Sequence, residues 1–388
     1  MSNRKLSFIP GPIEFSSEVL KEMSTPSQTH TSPEFTAAFQ EALKNTRKLF
    51  QSSDPDTQGF VISGSGTLGW DLTGANLLNN GEKALVISTG FFSDQFGSCL
   101  KLYAGSQNVD ILKAKEFGST VEPSVIENIL RAAKHEGKPY TLITVTQTDT
   151  SSGVLSDVEK ISAIVKKSSP ETLIIVDAVC ATACENLEFD KWGIDYALTA
   201  SQKAIGVPPG LSISFASSRA IKKILAKEHA IGFFTDLKRW LPIMRGYENG
   251  KPLYFATPAV QLVHAYNESL KEILTPSITE YVAAHRVASD NFKNKIAKLG
   301  LKFVPKSDKI SAHGLSVIYY PDDINGPDLL SKVQEKGFVI ASGIYKNYSN
   351  KYFRVGHMGI SAVGSRKHEL DKCFEAIESS LDELGYKN

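Results

Sequence analysis

Short runs of β-branched and apolar residues alternate along the first half of the chain with longer stretches in which apolar positions recur every three or four residues. Runs beginning at Phe60, Ala84, Val109, Tyr140, Thr172 and Tyr196 read as strands, with helical patterns opening after Gly66, at Phe91, at Pro123 and at Asp157. This rhythm predicts an α/β fold built on a doubly wound, mainly parallel sheet. Ahead of it, Ser32-Pro33-Glu34 supplies an N-cap, a first-turn proline and a first-turn acid to a helix that carries Phe35, Ala38, Phe39, Ala42, Leu43, Thr46 and Phe50 on one face. Ile9-Pro10-Gly11-Pro12 cannot continue a helix, so the start of the chain is expected to be an arm laid over an active site or a partner subunit.

Past Gly210 the run Leu211-Ser-Ile-Ser-Phe-Ala216 alternates, as suits an edge strand paired antiparallel. Residues 232–258, rich in aromatics, Gly and Pro without clear periodicity, are expected to form one long irregular segment. A helical pattern over 259–298 breaks near Thr275-Pro276. Strands are expected at Leu315 to Tyr319, Phe338 to Ala341 and Tyr352 to Val355, before a closing helix through Leu370, Phe374, Ile377, Leu381 and Leu384. The division this implies is an N-terminal arm over 1–20, a large domain over 21–265, and a linking helix with a small C-terminal α+β domain over 266–388.

The chemistry-bearing residues fall where these strands end. Asp177 closes one apolar run, and Lys203 closes the next before a turn of Gly206, Pro208, Pro209 and Gly210. Open α/β sheets place ligands at that carboxyl edge. A carboxylate and an amine there suit pyridoxal phosphate catalysis, in which a lysine holds the cofactor as a Schiff base and an aspartate pairs with the pyridinium nitrogen. The strand ending at Ser63 delivers Gly64-Ser65-Gly66-Thr67 to a helix start, where free N–H groups and the positive dipole end favour phosphate. An aromatic at Phe91-Phe92 could lie flat on a pyridine ring. The same glycines also spell Gly64-Ser-Gly66-Thr-Leu-Gly69, the mark of an NAD-dependent dehydrogenase, but the next strand ends in Ser88-Thr89-Gly90 without the acid that would bind a ribose.

Composition narrows the partners. The 388 residues are 41% hydrophobic and 22% charged, ample for a large core. Lys+Arg 43 against Asp+Glu 42 leaves +1, with no global field for nucleic acid or an acidic membrane, so small molecules are the expected ligands. Cys99, Cys180, Cys184 and Cys373 form no disulfide or zinc spacing, and the eight histidines are scattered, so no catalytic metal is expected. No apolar run approaches the ~20 residues that span a bilayer, and cytoplasm is the expected compartment.

With these pieces placed, the sequence resembles the class V aminotransferases of the alanine–glyoxylate and serine–pyruvate type, a branch of the fold-type I pyridoxal phosphate enzymes. The motifs that carry the resemblance are Ser63-Gly-Ser-Gly66, Ser151-Ser-Gly153-Val, Val176-Asp177-Ala-Val179, Ser201-Gln-Lys203-Ala, Pro208-Pro-Gly210 and Arg354-Val-Gly356. It implies Lys203 as the Schiff-base lysine and Asp177 as the partner of the ring nitrogen. Ser65, Gly66, Thr67 and Gln202 match groups around the phosphate, and Ser151 the hydroxyl near the cofactor's phenolic oxygen. Val179 matches an apolar contact on one ring face, and Phe92 stands where relatives often have a stacking tryptophan. Tyr254 and Thr257 resemble the pair supplied to a neighbouring subunit's phosphate, which implies a homodimer with shared active sites. Arg354 resembles the arginine that clamps the substrate carboxylate. The activity implied is transamination between L-alanine and glyoxylate, with serine–pyruvate and phosphoserine transamination as the alternatives. Phosphoserine would need an extra cationic site that no stretch announces, and a cysteine desulfurase would carry a histidine where Gln202 stands.

Overall fold

The computed structural model describes residues 4–387. Its centre is a seven-stranded sheet of β1 (Gln58–Ser63), β2 (Ala84–Ser88), β3 (Val109–Lys113), β4 (Leu142–Thr146), β5 (Leu173–Asp177), β6 (Tyr196–Ala200) and β7 (Leu211–Ala216), in spatial order β1-β7-β6-β5-β4-β2-β3. The neighbours from β6 to β3 all pair parallel, and β7 alone runs against its two partners. Helices cover both faces, so β2, β4, β5 and β6 are buried at every position, which is why their sequences read as continuous apolar runs.

Three expectations are corrected. Leu211–Ala216 is antiparallel but is not an edge strand; it lies between β1 and β6 with all six residues buried. Its alternation arises from a hydroxyl-bearing face that is buried; Tyr196 Oη donates to Ser214 Oγ at 2.7 Å, while Ser212 Oγ has no partner among the described residues. Residues 232–258 are not wholly irregular, since Leu237–Glu248 is a helix with Pro242 inside it. Its propensity is poor, yet Asp236 caps its start, and Leu237, Trp240, Leu241, Met244 and Tyr247 are buried; tertiary packing overrides the proline. Phe338 to Ala341 is not one strand either. Phe338–Val339 pairs with Leu6–Ser7 while Ala341–Ser342 pairs with Tyr352–Gly356, the chain changing partner at Ile340.

The helical pattern over 259–298 is two helices, Val260–Ile273 and Ile278–Lys298, separated at Thr275-Pro276. The sheet and its covering helices share one hydrophobic core, and a second gathers Phe8, Phe292, Ile296, Ile318, Phe353, Val355 and the closing helix His368–Glu383. Phe8 belongs to the second core because the arm is stitched to it: Phe8 N donates to Val339 O and Gly356 N to Phe8 O. Among the described residues no helix is long and apolar enough to cross a membrane.

Candidate active site

The carboxyl ends of β1, β2, β4, β5 and β6 open onto one cavity. Ser65, Gly66 and Thr67 enter it from the loop after β1, with Trp70 one helical turn on, and Phe92 enters after β2. Thr146 and Thr148 come from the end of β4, Asp177, Val179 and Cys180 from β5, and Gln202 and Lys203 from beyond β6. Pairing fixes this convergence, since Thr146 stands opposite Asp177 in the β4–β5 register and Asp177 opposite Leu198 in the next. A larger concavity of about 610 Å³ around Lys302, Tyr319 and Tyr320 contains none of these residues.

Asp177 is 3% exposed. Trp70 Nε1 donates to its Oδ2 at 2.8 Å and the Val179 amide to its Oδ1 at 3.0 Å. Burial pushes its pKa up to about 6, against those two hydrogen bonds and the nearby Lys203 charge, while Asp149 adds to the rise. A carboxylate so placed has strong reason to accept a cationic partner. Lys203 Nζ donates to the Pro10 carbonyl at 2.5 Å, so the N-terminal arm does cover the site, within its own chain. Gly11, at φ +88°, is required here, because a Cβ on it would fall onto the Lys203 side chain, 2.8 Å from Nζ. Ile13 N donates to Gln202 O at 3.2 Å and holds the arm down.

The helix Gly66–Leu77 begins at Ser65 without a side-chain cap and with no acid in its first turn, which leaves its positive end free for an anion. Gly66 is also needed for packing, as a Cβ would meet Val179 Cγ2 at 3.1 Å and Ala200 Cβ at 3.3 Å. Gly69, the third glycine of the dinucleotide-like motif, seats this helix on Leu198. Val179 and Phe92 both line the cavity.

Other expected residues do not line this cavity. Ser151 is fully buried outside the cavity; its hydroxyl donates to Asp149 Oδ1 at 2.6 Å and accepts from the Phe91 amide at 2.7 Å. Tyr254 and Thr257 are exposed and line no part of it, Tyr254 packing on the His30 ring at 5.2 Å. Arg354, 8% exposed, donates from Nε to Ser342 O at 2.8 Å and from Nη1 to Thr150 O at 3.4 Å. Both acceptors are main-chain carbonyls, so among the described residues this buried guanidinium has no carboxylate partner. Burial lowers its pKa, but an arginine stays charged.

Residues 14–346 match the family described as Aminotransferase class-V. The chain belongs to that family. Alanine–glyoxylate aminotransferase 1 of Saccharomyces cerevisiae is 45% identical over 383 residues, spanning 96% of this chain and 97% of that protein. Among solved structures, pyridoxamine–pyruvate aminotransferase from Mesorhizobium loti superposes with a TM-score of 0.89 at 21% identity, covering 100% of this chain and 94% of that one. Alanine–glyoxylate aminotransferase from Nostoc gives 0.87 at 24%, covering 98% and 96%. These two establish the fold, that of the fold-type I pyridoxal phosphate aminotransferases.

The cofactor of this aminotransferase is therefore pyridoxal 5'-phosphate, and the cavity fits it. Besides the buried carboxylate and the uncapped helix start, Gln202 Oε1 and Thr148 Oγ1 are buried there without a partner among the described residues. Each such atom costs about 1–3 kcal/mol unless a ligand supplies its bond. Sequence reasoning missed Trp70, Pro10, Thr146, Thr148 and Cys180. Trp70 carried one legible signal, its position four residues after Gly66 and hence on the same helix face; a main-chain carbonyl such as that of Pro10 carries none.

Proposed function

We propose that this aminotransferase moves the amino group of L-alanine to glyoxylate, giving pyruvate and glycine. The observation that carries the reading is the 45% identity, along nearly the whole of both chains, with the yeast enzyme named for that substrate pair. Arg354 supports it as the carboxylate clamp, because its planar fork matches a carboxylate in two bonds and no protein carboxylate occupies it among the described residues. That clamp serves every amino and oxo acid alike, so choice has to come from the space around the side chain. Glyoxylate has none and alanine has a methyl.

Bound pyridoxal phosphate supplies the electron sink for charge left at the substrate's Cα. Lys203 Nζ would hold the cofactor, and its free amine would be the base that takes the proton from the substrate's Cα. Its hydrogen bond to Pro10 O shows that the side chain already reaches the arm that roofs the site. Asp177 would keep the ring nitrogen protonated, with Trp70 and the Val179 amide fixing both its oxygens. Phe92 and Val179 line the cavity and would hold the ring faces, while Ser65, Gly66, Thr67 and Gln202 would hold the phosphate. Two such half-reactions on one site give ping-pong kinetics.

The proposal includes a homodimer in which Tyr254 and Thr257 complete the partner's phosphate site. Tyr254 is 66% exposed, and Ile231, Phe233 and Leu253 from neighbouring stretches are exposed too, an apolar surface that a second copy would cover. The division at 20 and 265 is proposed with it and is supported by the two hydrophobic cores, although Val304, Leu315 and Val317 of the C-terminal part pack into the larger one.

The test is kcat/KM for alanine, serine, phosphoserine and aspartate against glyoxylate, pyruvate and 2-oxoglutarate. Alanine with glyoxylate is expected to lead, and serine to follow within about 10²-fold, the discrimination an apolar pocket achieves against an added hydroxyl. A preference for phosphoserine or aspartate with 2-oxoglutarate overturns the substrate assignment.

A further inference from the structure

We infer that Phe117, stacked with Tyr345 and Tyr348, is the positioning residue that keeps Arg354 in place for a substrate carboxylate. The inference rests on the reading of Arg354 as the carboxylate clamp and concerns what in this chain holds that clamp.

Arg354 is the central residue of the strand Tyr352–Gly356, which lies between Leu315–Tyr319 and Ala341–Ser342. Its Nε donates to Ser342 O at 2.8 Å and its Nη1 to Thr150 O at 3.4 Å. Neutral carbonyls hold a guanidinium without the bidentate, charge-paired geometry of a carboxylate, so Arg354 is only as firmly placed as the main chain that carries those two oxygens. Thr150 follows the buried Asp149, whose carbonyl takes the amides of Ser152 and Gly153. Ser342 is the more easily displaced. It ends a two-residue strand, and the loop that begins at Gly343 has Lys346, Asn347, Ser349 and Asn350 exposed.

Two ties hold this loop. Gly343 N donates to Tyr352 O at 3.0 Å, and the amides of Ile344 and Tyr345 both donate to Tyr352 Oη, at 3.0 and 3.1 Å. Tyr352 stands two residues before Arg354 and therefore on the same face of the strand. The second tie comes from the segment after β3. There Phe117 lies flat on Tyr345, with centroids 5.0 Å and planes 5° apart, and on Tyr348 at 4.5 Å and 29°, with Tyr352 at 5.5 Å. Phe117 is a firm anchor because the chain on either side of it is bonded: Ala114 N donates to Ser88 O and Lys306 N to Gly118 O, both at 2.9 Å. Gly118, at φ +85°, can carry no side chain, since a Cβ would fall on Val304 O. The ring stack thus joins the loop beside Ser342 O to the edge of the large sheet, and Arg354 is held through it.

The test compares ligands with and without a carboxylate on the cofactor-loaded protein. Phe117→Leu, and Tyr345→Ala and Tyr348→Ala at half-buried loop positions, are expected to raise KM for alanine and for glyoxylate about two- to ten-fold, the equivalent of one lost aromatic pair, with kcat within about two-fold of wild type. The cofactor dissociation constant and the midpoint of the visible spectral change on adding ethylamine, which has no carboxylate to place, should keep their wild-type values; a merely loosened fold would move both. Tyr345→Phe and Tyr348→Phe retain the rings and should retain the wild-type KM. A wild-type KM for both substrates in the folded ring-removing variants, or a rise in KM matched by equal losses in cofactor and ethylamine binding, overturns the inference. Arg354→Gln tests the reading beneath it: KM for both substrates should rise further than in any stack variant, and unchanged values would mean that Arg354 is not the clamp.

Discussion

Trp70→Phe isolates the hydrogen bond that the indole gives to Asp177. The ring is kept, so the stack on Phe96, 5.6 Å between centroids and 15° between planes, survives in part. What is lost is one of the two donors to a buried carboxylate whose pKa already stands at about 6 because of desolvation. A hydrogen bond to a charged group contributes about 1.5–3 kcal/mol, so its loss raises that pKa by a further 1–2 units. At pH 7 the ionised fraction of Asp177 in the cofactor-free protein falls from about nine-tenths to between about one-half and one-tenth. Only the ionised form pairs with the protonated ring nitrogen, so cofactor affinity at pH 7 drops roughly two- to ten-fold. The sign of the pH dependence follows: raising the pH through the elevated pKa restores the carboxylate, and the deficit should shrink towards pH 9. Titrating cofactor into Trp70→Phe and wild-type protein between pH 6 and 9 measures it. A deficit that stays constant with pH would be a packing effect, and no deficit at pH 7 would mean that the indole does not hold Asp177 ionised.

Lys203→Ala should abolish turnover and the visible absorbance of lysine-bound cofactor while leaving the fold intact, and Asp177→Asn should fold, bind cofactor weakly and transaminate very slowly; spectra and single-turnover rates check both. Mixing Lys203→Ala with Thr257→Ala subunits should recover activity in heterodimers, which would hold one site free of either change, and verified heterodimers that stay inactive would refute shared sites. Gly90→Ala should destabilise by about 1–3 kcal/mol and lower Tm by a few degrees, because the new Cβ would press on Ser151 Oγ and lie 2.6 Å from Asp149 Oδ1.

The sheet was legible because its strands are buried on both faces. A parallel strand under two helix layers must be apolar at every position, and Leu173–Val176 or Ala84–Ile87 can be little else. The first polar residue after such a run then marks the carboxyl edge, and this places Asp177 from sequence with no fold comparison. Lys203 is less direct, standing three residues beyond the end of β6. The errors share one cause, since each involved an element whose sequence is explained only by its neighbours. Leu211–Ala216 reads as an edge strand until β1 is seen to pair along its open side, and Pro242 reads as a helix breaker until Trp240, Leu241 and Met244 are seen to anchor the helix on the core.

The loop after β4 shows why motif position is a weaker guide to a contact than it is to a site. Between Thr146 and Ser152 stand five hydroxyl side chains, Thr146, Thr148, Thr150, Ser151 and Ser152, each chemically able to bind a cofactor oxygen. The carboxylate of Asp149, fully buried among them, distributes the roles. It needs several donors to remain in so dry a place and draws them from Ser93 and from both the amide and the hydroxyl of Ser151. Those groups are then unavailable to a ligand, while the residue on the opposite side of the short ladder, Thr148, lines the cavity with its hydroxyl unpaired among the described residues. Ser93, on the helix after β2, is 56 residues from Asp149 in sequence. A motif read along the chain lacks that partner, and without it the competition among these hydroxyls has no visible outcome.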